Sequence, residues 1–270
     1  MIDEQTKAEC RKVQIRLLDA LDKLCKEHGI TYWIDFGTLL GAVRHGGFIP
    51  WDDDIDVSMP MKDYKKFQEI AEKELPRDIF LQTPKTDPTY RQSISKLRDC
   101  YSTFIEHFET EKNVYHKGIY IDIFPSYYYP RMPRFVRKVL LYIMVRTRYK
   151  AFVSKRDVVF NFITYVVARG IFSLFLLPFL MTNEVGQTPE DNGYNYSIPD
   201  TYIYPLKDIL FEGKPYPAPH DTHNYLSIMY GKNYMTPLPP KDRTAHAKVI
   251  LPHTPCNHPR AMKEPHAKRA

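Results

Sequence analysis

An α/β fold, with a mixed β-sheet core flanked by helices and an added helical segment, is what this sequence predicts. Three observations carry the expectation. Two segments, Glu4–His28 and Lys62–Leu75, place apolar residues at helical spacing. Between them, residues 30–59 read as strand, short helix and strand. Further strands follow at Ile79–Gln82, Ser93–Arg98, Thr103–Phe108 and Gly118–Phe124. Layering helices on a sheet is the arrangement that buries both kinds of apolar face in one core.

Each element has its own warrant. Glu4–His28 sets Val13, Leu17, Leu18, Leu21, Leu24 and Cys25 on one face, and Gly29 stops it. Ile30–Phe36 alternates as a strand carrying Asp35. Thr38–His45 reads as a helix opening directly after Gly37, with its first backbone N–H groups open to a phosphate. Gly46-Gly47 makes a turn. In a strand Asp54–Met59, Ile55, Val57 and Met59 share one face and Asp54, Asp56 and Ser58 the other. Lys62–Leu75 aligns Tyr64, Phe67, Ile70, Ala71 and Leu75. Tyr225–Tyr230 is a helical turn, and Pro237–Ala270 an irregular tail that wraps the core or is partly disordered. Residues 1–130 thus form a catalytic core, 131–200 a basic and apolar helical insertion, and 201–270 the part that completes the core.

Composition narrows the class. The 43% apolar content suits a soluble protein, while 20 Tyr and 22 Pro point to an aromatic-lined site and much irregular chain. Four dispersed cysteines without CxxC spacing read as reduced thiols of a cytosolic protein, and the polar start MIDEQTKAEC as no signal peptide. The net charge of +6 is uneven: Arg131–Arg156 holds nine Lys or Arg and no acid. The apolar stretch Val158–Met181 follows, broken by Asn161, Arg169, Gly170 and Pro178. It fits a helical subdomain packed on the core, or a helix lying on the inner face of a membrane. Spanning is the weakest reading, because a central Arg costs roughly 2.5–3.5 kcal/mol on insertion scales.

The chemistry is concentrated in Asp52-Asp53-Asp54-Ile55-Asp56. Acid runs are usually solvated, but this one lies between Trp51 and an alternating apolar strand. Two carboxylates side by side on one strand face need a cation, which points to Mg²⁺, with Mn²⁺ as a substitute, and to phosphate chemistry. Asp122, between Ile121 and Ile123, is the third candidate: a buried charge must meet a metal or a cation. Asp54, Asp56 and Asp122 would form the metal cradle. Asp122→Ala is then expected to cost activity and, by relieving repulsion, to raise the thermal stability of the metal-free protein.

The stretch GTLLGAVRHGGFIPWDDDID, with SKLRD at 95–99, GIYIDIFP at 118–125 and PYPAPHDTHNYLSIMYGKNYMTPLPPKDRTAH at 215–246, resembles the LicD family of phosphotransferases, which includes the fukutin group. The likeness is weakest between Tyr128 and Tyr202. It implies a nucleotidyltransferase-like core that moves a phospho-alcohol from a CDP-activated donor to a hydroxyl of a cell-surface glycan or its lipid-linked precursor. Phosphocholine from CDP-choline leads; ribitol- or glycerol-phosphate transfer, or a nucleotidyltransferase making a nucleotide conjugate, are the alternatives. Nucleic acid is not an expected partner, since a binding module has no need of the three facing acids. The site is expected in the cytoplasm, with peripheral contact at the inner face of the membrane through 131–181.

Roles follow for the matching residues. Gly37 lets backbone approach phosphate, and the amides of Thr38 and Leu39 complete an anion nest. Arg44, Lys96 and Arg98 neutralise the leaving CMP, with a surface cation as the plain alternative. Asp122 or Asp52 takes the acceptor's proton. His45 is structural or touches substrate. A choline head group calls for an aromatic cage from Trp33, Trp51, Tyr120 or Tyr127–Tyr129, although plain core packing carries more weight. A zinc site at His246, His253, Cys256 and His258 is disfavoured by its spacing.

Overall fold

The computed structural model describes residues 2–90, 92–109, 114–130, 155–174, 181–187, 197–243 and 245–261, with residues 133, 135–136, 139–140 and 142–143. Helix α1 (Glu4–His28) begins where the Asp3 carboxylate accepts from the Thr6 amide at 2.8 Å and ends at Gly29, at φ 60°. Its expected stripe is the buried one: Leu17, Leu18 and Leu21 have no exposed surface. Truncating any of them to Ala should cost about 2–5 kcal/mol. There follow β1 (Trp33–Ile34), α2 (Phe36–His45), β2 (Asp56–Pro60), α3 (Met61–Glu74), β3 (Ile79–Gln82), β4 (Ser95–Asp99), β5 (Thr103–Glu106) and β6 (Tyr120–Pro130). After these come α4 (Lys155–Leu174), β7 (Met181–Gln187), β8 (Ile198–Pro199), α5 (Asp200–Ile203), β9 (Lys207–Phe211), β10 (Lys214–Ala218), α6 (Thr222–Tyr230) and β11 (Ala247–Leu251).

The main sheet runs β1-β2-β6-β4-β3, with β7 added on β6 and β8 on β7. β2 and β6 are parallel and the other pairs antiparallel, so the sheet is mixed, with α1 and α3 packed against it. β6 is the longest strand because it serves two sets of neighbours. Up to Ser126 it pairs with β2 and β4, and from Ser126 onward with β7.

Several element boundaries differ from the sequence reading. The strand at 30–36 shrinks to two residues because Asp35 turns out of the sheet to cap α2. β2 starts at Asp56, so Asp54 lies in the loop before it and not on the strand. The Pro-rich tail contains β11, which pairs with β5. The β9–β10 hairpin turns at Glu212 (φ 51°) and Gly213 (φ 78°), consecutive left-handed residues that suit a tight hairpin. Much of the basic run at 131–156 lies outside the described residues. Among the described residues, no helix is long and apolar enough to cross a membrane.

Candidate active site

The strand register assembles the polar centre. Asp56 of β2 lies opposite Asp122 of β6, Asp122 opposite Lys96 of β4, and Lys96 opposite Gln82 of β3. Alternation along each strand keeps this row on one face. Asp54 reaches the row from the loop, and oxygens of Asp54, Asp56 and Asp122 approach within 4.8 Å of one another. Burial pushes the carboxyls of Asp54 and Asp56 well above the usual range, and repulsion from the neighbouring acids adds to it. Asp122 is also raised by burial, but Lys96 opposes the shift. Three hard oxygen donors that repel one another are the donor set Mg²⁺ takes, so the residues present fit a divalent ion.

The loop that delivers these acids is gripped by α1. Arg11 donates to the carbonyls of Ile49 and Pro50, each at 3.1 Å, and Gln14 to that of Asp53 at 2.7 Å. Asp53 itself faces away from the cradle, accepting from the amides of His246 (3.0 Å) and Ala247 (2.8 Å). That clamp ties the loop to β11 and sets His246 Nε2 3.4 Å from Asp54 Oδ2. Asp52, Asp53 and His246 form a second close group. Asp52 is half-buried, and its carboxyl is raised first by burial and then by Asp53.

On the other side stands the start of α2. A Cβ at Gly37 would lie 2.5 Å from Asp52 Oδ2, so any larger residue would push that carboxylate from its place. Thr38 Oγ1 accepts from the Asp56 amide at 2.8 Å, fixing α2 to β2. Leu39 corrects the expected nest: its amide already donates to the Asp35 carbonyl at 3.0 Å and its side chain is fully buried.

Asp35, unassigned in the sequence reading, organises this corner. Fully buried, it accepts from Ser58 Oγ (2.6 Å), Tyr225 OH (2.8 Å), the Phe36 amide (2.8 Å) and Gln187 Nε2 (3.3 Å). Trp33 Nε1 in turn donates to Tyr225 OH at 3.2 Å. These contacts hold Phe36 at φ 46°, a left-handed conformation costing about 1–3 kcal/mol in a non-glycine residue. Tyr230, at the end of α6, is 44% exposed as a residue but turns its phenol toward the acids: desolvation of that hydroxyl and the charges of Asp56, Asp35, Asp52 and Asp54 hold its proton on.

The cations are placed differently from the sequence expectation. Lys96 is 2% exposed, with Nζ 2.8 Å from Asp122 Oδ1, 3.9 Å from Glu106 and 3.5 Å from the Tyr120 ring centre. Arg98 is fully buried, donating to Gln82 Oε1 and the Gly118 carbonyl at 2.8 Å each and stacking on Tyr120 at 4.6 Å. Both are buried counter-ions to the acid face, already engaged by protein partners, and not surface cations. Arg44 is half-exposed, bonded to the Tyr234 carbonyl at 2.9 Å, with His45 beside it.

Three of the six aromatic candidates are core, while Tyr127 is half-buried and Tyr128 is 40% exposed. Trp33, Tyr120 and Tyr129 are each 1% exposed, and Tyr120 donates to Glu106 at 2.9 Å. Trp51 is half-buried, and the Arg243 guanidinium already lies 4.0 Å from its ring centre. The four residues weighed for zinc go to separate places: His246 to Asp54, His253 to Glu9, Cys256 to Lys117, and His258 beside Asp87 and His116.

His246, Tyr225 and Tyr230 lie far along the chain from the acids, so neither spacing nor periodicity could find them. Asp35 could have been found from its own position. An acid one residue before a helix start, followed by Phe-Gly, is an N-cap signal.

Comparison with known proteins agrees with this arrangement. A family model described as LicD/FKTN/FKRP, nucleotidyltransferase domain, matches residues 29–169, just over half of the chain. The lipopolysaccharide cholinephosphotransferase LicD of Haemophilus influenzae is 27% identical over 261 residues, covering 89% of this chain and 96% of that protein. The human ribitol 5-phosphate transferase FKRP is 43% identical over 42 residues, 16% of this chain and 8% of that protein. The mouse ribitol-5-phosphate transferase FKTN is 38% identical over 55 residues, 20% and 12% respectively. With its acid row, its Asp35-capped helix α2 holding Gly37 within its first turn, and the matched span from Gly29 onward, the chain belongs to the LicD/FKTN/FKRP nucleotidyltransferase-domain family.

Proposed function

We propose that this protein transfers a phospho-alcohol, phosphocholine first, from a CDP-activated donor to a hydroxyl of a cell-surface glycan or its lipid-linked precursor. The observation that carries the reading is the triad Asp54, Asp56 and Asp122, whose oxygens converge within 4.8 Å while burial and repulsion disfavour their charge. They would hold Mg²⁺, which when bound supplies Lewis-acid neutralisation of the donor's pyrophosphate charge. The near full-length likeness to a cholinephosphotransferase supports phosphocholine as the group moved.

The chain's own groups account for the rest. Gly37 and Thr38 offer backbone at the N-terminal, positive end of α2, where a phosphate is favoured. The positive charges of Lys96 and Arg98 favour the carboxylate form of Asp122 and so oppose the effect of its burial. Asp52 is the better-placed general base: it stands outside the metal triad and its raised carboxyl makes it a stronger base. It accepts the acceptor's hydroxyl proton as the sugar oxygen forms its bond to phosphorus. The bond from that phosphorus to the bridging oxygen breaks, and CMP leaves with the electron pair. His246 and Tyr230, at the mouth of the same cluster, are placed to contact donor or acceptor oxygens.

One observation favours the second reading, ribitol- or glycerol-phosphate transfer. Two of the faces expected to cage a quaternary ammonium are already taken, Trp51 by Arg243 and Tyr120 by Lys96 and Arg98. Steady-state kinetics with CDP-choline, CDP-ribitol and CDP-glycerol, Mg²⁺ and a glycan acceptor separate the readings. CDP-choline should give a kcat/KM at least ~10-fold above the others, a gap of about 1.4 kcal/mol. An opposite ranking selects the alditol donors, and no transfer from any of them overturns the proposal.

A further inference from the structure

Ten of the nineteen large apolar side chains exposed among the described residues fall between residues 135 and 174, which makes this a patch and not scattered surface. On α4 they form a stripe. Phe160, Ile163, Val167, Ile171 and Leu174 follow at steps of three or four residues and are 41–70% exposed. The opposite side of the helix is occupied: Ala168, 3% exposed, packs with Leu140, and Tyr127 and Tyr165 close around them. A helix apolar on both sides belongs in contact with something on each. Arg169 is the sole charged residue from Val158 to Leu174, yet α4 is not apolar enough to cross a membrane. The chain running into it carries nine Lys or Arg and no acid between Arg131 and Arg156.

We propose that this face docks on an anionic membrane surface, with α4 in the plane of the interface and its Phe160–Leu174 stripe among the acyl chains. An apolar stripe answers to acyl chains and a run of cations to anionic headgroups, and a lipid surface offers both together. A second copy of this chain answers the apolar stripe alone, because two runs of like charge do not attract each other. The inference uses no residue of the acid cluster, so it stands or falls apart from the catalytic reading.

Vesicle sedimentation with the full chain tests it without turnover. The protein should pellet with mixed phosphatidylglycerol and phosphatidylcholine vesicles at about 0.1 M salt. Binding should weaken at least ~10-fold on phosphatidylcholine alone, or at about 1 M salt, where the Debye length falls from ~10 Å to ~3 Å. The triple variant Phe160→Ser, Ile163→Ser, Val167→Ser should lose binding by a similar factor with its melting temperature unchanged. Leu174→Asp, at the helix end, reads the same face with less risk to folding. A protein that stays in solution with anionic vesicles at low salt overturns the proposal. So do variants that bind like the wild type, or a concentration-dependent dimer that ignores vesicles.

Discussion

Replacing Asp56 with asparagine should lower kcat by about 10³-fold and at the same time raise the melting temperature of the metal-free protein. The first effect follows because Asp56 is the strand-borne member of the cradle, and charge stabilisation by a bound metal supplies several kcal/mol, each 1.36 kcal/mol being tenfold. The second follows from linkage. The carboxyls of Asp54 and Asp56 titrate well above the unfolded value of about 4, chiefly through burial. Each therefore contributes its full stability below the unfolded pKa, and that stability is lost as pH rises through the folded pKa. Metal-free wild type should weaken from pH ~4 upward, and the advantage of Asp56→Asn should be larger at pH ~8 than at pH ~5. At ~2–4 °C per kcal/mol, the gain is a few degrees. Thermal melts in EDTA at the two pH values check it. Unchanged turnover, or an advantage that shrinks with rising pH, contradicts the cradle.

Asp122 does not behave in the same way, although the sequence suggests that it would. Removing it relieves repulsion but strips Lys96, 2% exposed, of the carboxylate 2.8 Å away and leaves it Glu106 at 3.9 Å. Breaking a buried pair in this way costs about 3–5 kcal/mol, so Asp122→Ala loses stability as well as activity.

Asp35→Ala should be as destabilising as the loss of Asp122. It leaves four donors, from Phe36, Ser58, Gln187 and Tyr225, without their shared acceptor in a fully buried place. Buried donors left unpaired cost about 1–3 kcal/mol each where water cannot reach them, so a total of ~3–5 kcal/mol is expected. That corresponds to a fall in melting temperature of about 10 °C. Because the same contacts hold Phe36 left-handed at the mouth of α2, the isosteric Asp35→Asn should raise KM for the donor even where it folds. Calorimetry and donor kinetics on the two variants read these effects. An Asp35→Ala protein melting within ~2 °C of wild type would show that the network is not what fixes this corner.

The sequence carried the acid cluster well and the rest of the site unevenly. Period-two alternation around Ile55, Val57 and Met59, and around Ile121 and Ile123, is a local signal, and it located Asp56 and Asp122 on neighbouring strands. Asp54 was assigned to the strand because alternation cannot say where pairing begins; the ladder starts two residues later. Lys96 and Arg98 were read as arms for substrate because a cation in a motif looks the same whether exposed or buried. Only the register, which sets Lys96 opposite Asp122 and Arg98 opposite Tyr120, shows them buried on the acid face with partners of their own. His246 was legible as a metal-ligand type but not as a neighbour of Asp54, since the contact depends on β11 and on Asp53 accepting two amides 193 and 194 residues away. The β9–β10 hairpin was missed because prolines at 215 and 217 hid its alternation, although Glu212-Gly213 is a serviceable turn signal.

Product identity tests the central claim most directly. The protein is incubated with CDP-choline, Mg²⁺ and a glycan acceptor, and phosphorus NMR follows the products. The account predicts CMP appearing in step with a new phosphodiester on the glycan, and neither in EDTA. Pyrophosphate released from a nucleoside triphosphate, with a nucleotide joined to the acceptor, or CMP formed at full rate in EDTA, would contradict it.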